Sequence, residues 1–183
     1  MRKEFLAIGL ICAVLVGFSA FAHADPLNGF WSISSSGEAL IAPANKGACS
    51  VSGAVPASLY EATLQFSNGN IIVTGLGIDM GATNCTSINF RGTGSYTVTE
   101  KQDGTFEANG TFSSSFVGRG AACAGTQLTN VAFTATGKTG RRTLTITTHG
   151  LDSGTYAEGP RAGPTTCSAP VTNLTMDGTG VKF

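Results

Sequence analysis

Charge is scarce in this chain. Lys and Arg number 11, Asp and Glu 11, together 12% of 183 residues. No basic run or stripe is present, which removes the electrostatic footprint of a nucleic-acid binder. No basic amphipathic helix is present to lie on a membrane. Histidine is rarer still, with 2 in the chain, and beyond the first segment only His149 remains. One His cannot build a His-rich metal site, and no Asp-x-Asp-x-Asp-Gly loop offers a calcium site. His149, Asp152 and Ser153 supply the residue types of a hydrolytic triad. They crowd into one Gly-rich loop, and no Gly-x-Ser-x-Gly elbow accompanies them. Glu38, Glu61, Asp79 and Glu107 are scattered, with no spacing that puts two on one strand face for glycosidase chemistry. The chain thus implies no cofactor and no metal, and it names no catalytic residue.

What is present begins with an exported character. Arg2 and Lys3 precede an apolar run from Phe5 to Phe18, and Ala22-His23-Ala24 is a small-x-small cleavage site. Residues 1–24 therefore read as a signal peptide of bacterial character, and 25–183 as one mature domain in the periplasm or outside the cell. Cys12 lies within the apolar run, leaving Cys49, Cys85, Cys123 and Cys167. An even count in an exported chain predicts two disulfides. Neighbouring cysteines lie roughly forty residues apart, whereas a four-thiolate zinc site wants pairs about two to four apart.

The strongest local pattern runs from Cys85 to Gly118. Ile88, Phe90, Tyr96 and Val98 alternate with polar residues, Asp103-Gly104 marks a reversal, and Phe106, Ala108, Phe112 and Phe116 alternate on the return. Period two over this length predicts paired antiparallel strands. The same unit recurs: a cysteine-bearing connection, a strand, a tight turn at Asn68-Gly69, Asp103-Gly104 or 137–140, and a returning strand. Gly29–Ser34 reads as a first strand, with Gly29, Trp31 and Ile33 on one face. In the strand after Asn68-Gly69, Ile72, Leu76 and Ile78 share a face with Thr74. Stretches 37–58, with room for a short strand at Glu38 to Ile41, and 149–170 read as long loops, with Asp177-Gly178 as a late turn. No helical period appears outside the first segment.

These features predict an all-β fold: an antiparallel up-and-down meander of about eight strands, closed or nearly closed into a barrel. A two-sheet sandwich is the competing solution. In a meander, alternate connections share an end. The tight turns then shut one end, and the cysteine-bearing connections crowd the other. If neighbouring loops bond, the pairs are Cys49–Cys85 with Cys123–Cys167. If the first and last strands adjoin in a closed ring, they are Cys85–Cys123 with Cys49–Cys167.

Gly29-Phe30-Trp31 at the start of a first strand, within this topology, resembles the Gly-x-Trp of the calycin superfamily, the lipocalin- and avidin-like eight-stranded barrels. The resemblance implies that Trp31 closes the shut end and that the first connection is a loop at the open mouth. It also implies a basic side chain over the Trp, for which Arg141 and Arg142 are the candidates. Trp31 is the only tryptophan, so the several that line an avidin's biotin site have no counterpart.

Phe90, Gly92, Gly94, Tyr96, Phe112 and Phe116, with Gly110, are the candidate lining of a cavity for a small apolar or amphipathic ligand. Alternatively, the glycines let the strands coil into a narrow, filled barrel. Two other functions stay open. One is a protein-interaction module, an inhibitor or surface-associated protein using loops 37–58 and 149–170; the other is a calycin-like isomerase or cyclase. An outer-membrane barrel is disfavoured, because the polar strand faces carry Thr, Ser and Asn where a lipid-facing band is needed.

Overall fold

The computed structural model describes residues 24–80, 86–119, 125–159 and 164–183, without the side chains at 60, 76–80, 86–90 and 116–119. The expected signal segment lies outside them apart from Ala24. Among the described residues there are nine strands and no helix: β1 (Gly29–Ile41), β2 (Gly53–Ser67), β3 (Asn70–Met80), β4 (Thr86–Glu100), β5 (Thr105–Arg119), β6 (Gly125–Lys138), β7 (Thr143–His149), β8 (Ser153–Glu158) and β9 (Cys167–Lys182). Among the described residues no helix is long and apolar enough to cross a membrane.

Every pairing is antiparallel. The order is β1 to β7 in sequence, then β9, and β9 returns to β1, so the hydrogen bonds close a ring. β7 pairs with β6 and β9 in their turn-end halves, and β8 pairs with the same two strands in their loop-end halves. β7 and β8 are therefore one stave, interrupted at residues 150–152. The interruption stays hydrogen-bonded to β6 through Ala132 N to Gly150 O (3.0 Å) and Asp152 N to Thr129 O (3.1 Å). Eight staves result, and the meander closes as a barrel rather than as two facing sheets.

The strands are longer than local pattern suggests. The stretch 37–58 is a loop only over 42–52: residues 38–41 are strand, as a continuation of β1 to Ile41, and β2 starts at Gly53. The stretch 149–170 contains β8 and the start of β9. Asp177-Gly178 is not a turn but lies inside β9, where a Cβ on Gly178 would sit 2.8 Å from Ser35 Cα. On β3 the inward face is Ile71 and Val73, while Ile72 is exposed. The Asn68-Gly69 turn decides this, since both residues take positive φ (48° and 80°), as a two-residue hairpin turn requires. Phe66 is thereby set opposite Ile71 and Ser67 opposite Asn70. Phe66 faces inward, so Ile71 must.

The core fills the ring. Trp31, Phe66, Phe133, Tyr156, Ile33, Ile41, Ile71, Leu128 and Leu174 are almost wholly buried. Inward glycines face large side chains on neighbouring strands. Gly94 opposes Phe112, Gly110 lies between Tyr96 and Phe133, and Gly137 lies between Phe106 and Leu144. A narrow barrel cannot hold a large residue at every inward position, so small and large alternate. The rings take up the volume the glycines leave: Phe66 meets Tyr96 edge-on at 5.1 Å and approaches Phe133 at 6.4 Å.

The turn end is plugged by Asp25–Asn28. Leu27 is buried and its carbonyl accepts a hydrogen bond from Trp31 Nε1 (2.7 Å). The Asp25 carboxylate accepts from Leu27 N (2.9 Å) and from the Tyr96 hydroxyl. The basic group over Trp31 is Lys182, 5.4 Å from the ring centroid, and neither Arg141 nor Arg142. Arg142 lies one strand further on, its Nε donating to Lys182 O (3.0 Å). The reason is register, which places Trp31 directly opposite Lys182 on β9.

Candidate ligand site at the open end

The connection 42–52 forms a strap. Leaving β1, it crosses the start of β9 and reaches β8. Backbone bonds hold its first half: Ala42 N to Pro170 O (2.9 Å), Asn45 N to Ser168 O (2.7 Å) and Ser168 N to Lys46 O (2.9 Å). A disulfide between Cys49 and Cys167, with Cα atoms 5.2 Å apart, pins its middle. Ser50 then reaches Glu158. This bond rules out the pairs between neighbouring loops, Cys49–Cys85 and Cys123–Cys167. Ring closure brings the first connection beside the last strand, so Cys49–Cys167 is the pair expected of a closed ring. Cys85 and Cys123 lie outside the described residues.

Beneath the strap sits a polar cluster. Glu158, on β8, is buried. Its Oε1 accepts from Ser50 N (2.8 Å), Ser50 Oγ (2.5 Å) and the Tyr156 hydroxyl (3.0 Å). Burial, then the hydrogen bond to Glu158 and the charge it carries, push the Tyr156 phenol up to about 12, with Ser50 opposing. Tyr96 at the other end is raised in the same direction, first by burial and then by Asp25.

A phenol whose folded pKa lies above its unfolded value stabilises the fold fully below about pH 10 and loses that contribution between about pH 10 and 12. Urea midpoints measured across that window should fall for the native protein. Tyr156→Phe should flatten the fall, and adding Tyr96→Phe should flatten it further. An unchanged slope in the double variant would show that neither phenol titrates in the folded state in this way.

Two hydroxyls on the same inner wall have no partner. Ser114 Oγ on β5 and Thr126 Oγ1 on β6 are buried and make no hydrogen bond. Ser114 pairs with Leu128, and Thr126 stands directly opposite Tyr156. Thr148, by contrast, is buried but satisfied, accepting from Met176 N (2.8 Å). Thr126 reaches the inner face through a β-bulge at Asn130 (φ 51°), which shifts the register between β5 and β6. Ser113 on the outside supports the bulge, its Oγ accepting from Asn130 N (3.0 Å).

Below this level the described inner side chains pack closely: the space between Ile33, Leu59, Phe112 and Met176 is about 20 Å³, the size of one water. Gly92, Gly94, Tyr96 and Phe112 face the interior, and the side chains of Phe90 and Phe116 lie outside those described. A Cβ on Gly110 would lie 2.8 Å from both Phe133 Cε1 and Tyr96 Cβ, so no cavity opens there.

His149, Asp152 and Ser153 form no triad. His149 Nε2 meets Thr134 Oγ1 (2.7 Å) on the outer face, and Asp152 accepts from Asn130 Nδ2 (2.8 Å). Ser114, Thr126, Tyr156 and Glu158 carry no sequence motif. Their only signal is an inward position, which depends on the bulge and on the interrupted stave. Among known protein families, curated proteins and solved structures, no match to this chain is found.

Proposed function

We propose that this is an exported β-barrel that binds a small apolar or amphipathic ligand at its strap-covered open end. Ser114 and Thr126 would hydrogen-bond the ligand's polar group. The observation that carries this reading is the pair of buried hydroxyls without partners, each of which costs about 1–3 kcal/mol when left unsatisfied. A ligand hydroxyl, amine or carbonyl entering beside the strap would satisfy them. The filled lower barrel confines the ligand to the mouth.

Titration with 1-aminoanthracene, a neutral apolar probe with one amine, tests this directly. The native protein should bind it, and the S114A/T126V variant should bind at least about fivefold more weakly. The same variant should fold as stably as the native protein or more so, since it removes two unsatisfied groups. No probe binding by the native protein would sink the reading. Retained binding in the variant would show that the hydroxyls are not the anchor.

A second reading draws support from the filled interior. A barrel whose described inner side chains pack this closely offers its connections instead, and 42–52 with the chain between β8 and β9 would then contact a protein partner. Recovery of a specific partner by the native protein from its export compartment, lost when 42–48 is replaced by a short Gly-Ser linker, would favour it.

A further inference from the structure

We propose that the shut end of the barrel docks on an anionic lipid bilayer. Five large apolar side chains are exposed among the described residues, and three of them, Phe30, Val181 and Phe183, gather at this end. Phe183 N donates to Phe30 O (3.0 Å), which sets the two side by side. Val181 pairs with Ser32 on β1 and Thr143 on β7, so the three share the outer surface of adjoining staves. Exposed aromatic and aliphatic groups in one patch are the part of a peripheral protein that enters the lipid interface.

The cations lie beside them. Arg142 touches the same strand end, its carbonyl accepting from Lys182 N (2.8 Å). Arg141 and Lys138 follow across the turn between β6 and β7, both exposed. A groove of about 670 Å³ continues from Val181 past Arg141 and Lys138 to Lys101, with Phe106, Leu144 and Gly180 in its floor. The carboxylates of this end among the described residues are each engaged within the protein: Asp25 in the plug with Leu27 N and Tyr96, Glu100 with Thr139 of the β6–β7 turn, Asp103 with Thr105 N, and Glu107 with Lys101 (3.6 Å). In a chain with no net charge, the fold has collected cations from three separated stretches, at 101, 138–142 and 182, beside its exposed apolar patch. Anionic headgroups complement that combination. A second copy of the chain fits it less well, since three side chains are far from the roughly 800 Å² per partner of a stable interface.

Co-sedimentation with vesicles of POPC alone and of equimolar POPC and POPG tests the assignment. The native protein should partition onto POPG-containing vesicles at about 20 mM NaCl and lose at least tenfold of that affinity at about 500 mM, as surface charge is screened. A cation near such a surface contributes about fivefold, so K138Q/R141Q/R142Q should reduce binding at least tenfold. F30S/F183S, which changes two exposed side chains, should reduce it about threefold or more while leaving the circular dichroism spectrum unchanged. Equal binding to POPC, no binding to POPG vesicles at low salt, or native affinity in the triple variant would overturn the proposal. So would a dimer in sedimentation velocity that F30S/F183S abolishes, which would give the surface to a second copy. None of these outcomes depends on a ligand at the open end.

Discussion

Breaking the Cys49–Cys167 bond is expected to remove about 4–5 kcal/mol of stability. The bond closes a sequence separation of 118 residues, most of the ring. Cross-links stabilise chiefly by restricting the unfolded chain, and the gain grows with the loop closed. Cys49→Ala with Cys167→Ala should therefore lower the urea midpoint strongly and steepen the transition, because the unfolded chain expands while the folded barrel keeps its pairings. The strap would retain its backbone bridge to β9 and the Ser50 contacts to Glu158. Cleavage of the unreduced protein should release one linked peptide holding Cys49 and Cys167. A loss under about 1 kcal/mol, or a linked peptide joining Cys49 to Cys85, would refute the pairing.

That bond is the one expected of a closed ring, and local pattern alone could not choose it over a bond between neighbouring loops. Alternation in 88–98 and 105–112 is strong because large apolar residues recur against Thr and Ser, and the strands and their ends follow. Cys49 and Cys167 become neighbours only when β9 closes on β1, a contact between the two extremes of the meander. Local pattern fails elsewhere for identifiable reasons. Ile71, Ile72 and Val73 form an unbroken apolar run, so periodicity cannot choose a face and the turn register does. Ala39 and Ala57 are inward but small, and with Gly37 and Pro56 nearby they disguise strand as loop. Gly178 looks like a turn residue because a glycine is needed where β9 approaches Ser34 and Ser35. Ser113-Ser114-Ser115 has no contrast at all, yet its middle residue alone is buried with an unsatisfied hydroxyl. The cations at 138, 141 and 142 share one short turn, and the pairing of β9 with β7 adds Lys182 to them. Composition excludes a basic stripe but cannot exclude a patch that the fold builds.

The glycines that face rings should be the least tolerant positions in the barrel. Gly110→Ala is expected to cost about 3 kcal/mol or more, at or above the upper end for overpacking a filled core. Its new Cβ would overlap the Ser95 carbonyl oxygen and lie 2.8 Å from Phe133 Cε1 and Tyr96 Cβ. Gly94→Ala should behave alike, since its Cβ would overlap the Thr111 carbonyl oxygen and lie 2.6 Å from Phe112 Cα. In both, the obstacle includes backbone, which cannot swing aside as a side-chain tip can. Phe133→Leu should rescue part of the Gly110→Ala loss by withdrawing the ring, and the overlap with Ser95 should keep the rescue incomplete. Gly104→Ala separates this cause from conformational strain. Gly104 has φ 76° with open space around its Cβ position, so its substitution should cost only about 1 kcal/mol. If Gly110→Ala and Gly94→Ala unfold at the same urea concentration as Gly104→Ala, the rings do not fill the glycine positions. The barrel then has room inside for a ligand. If they unfold far earlier, the interior is a packed core, and the mouth beneath the strap is where a ligand must be sought.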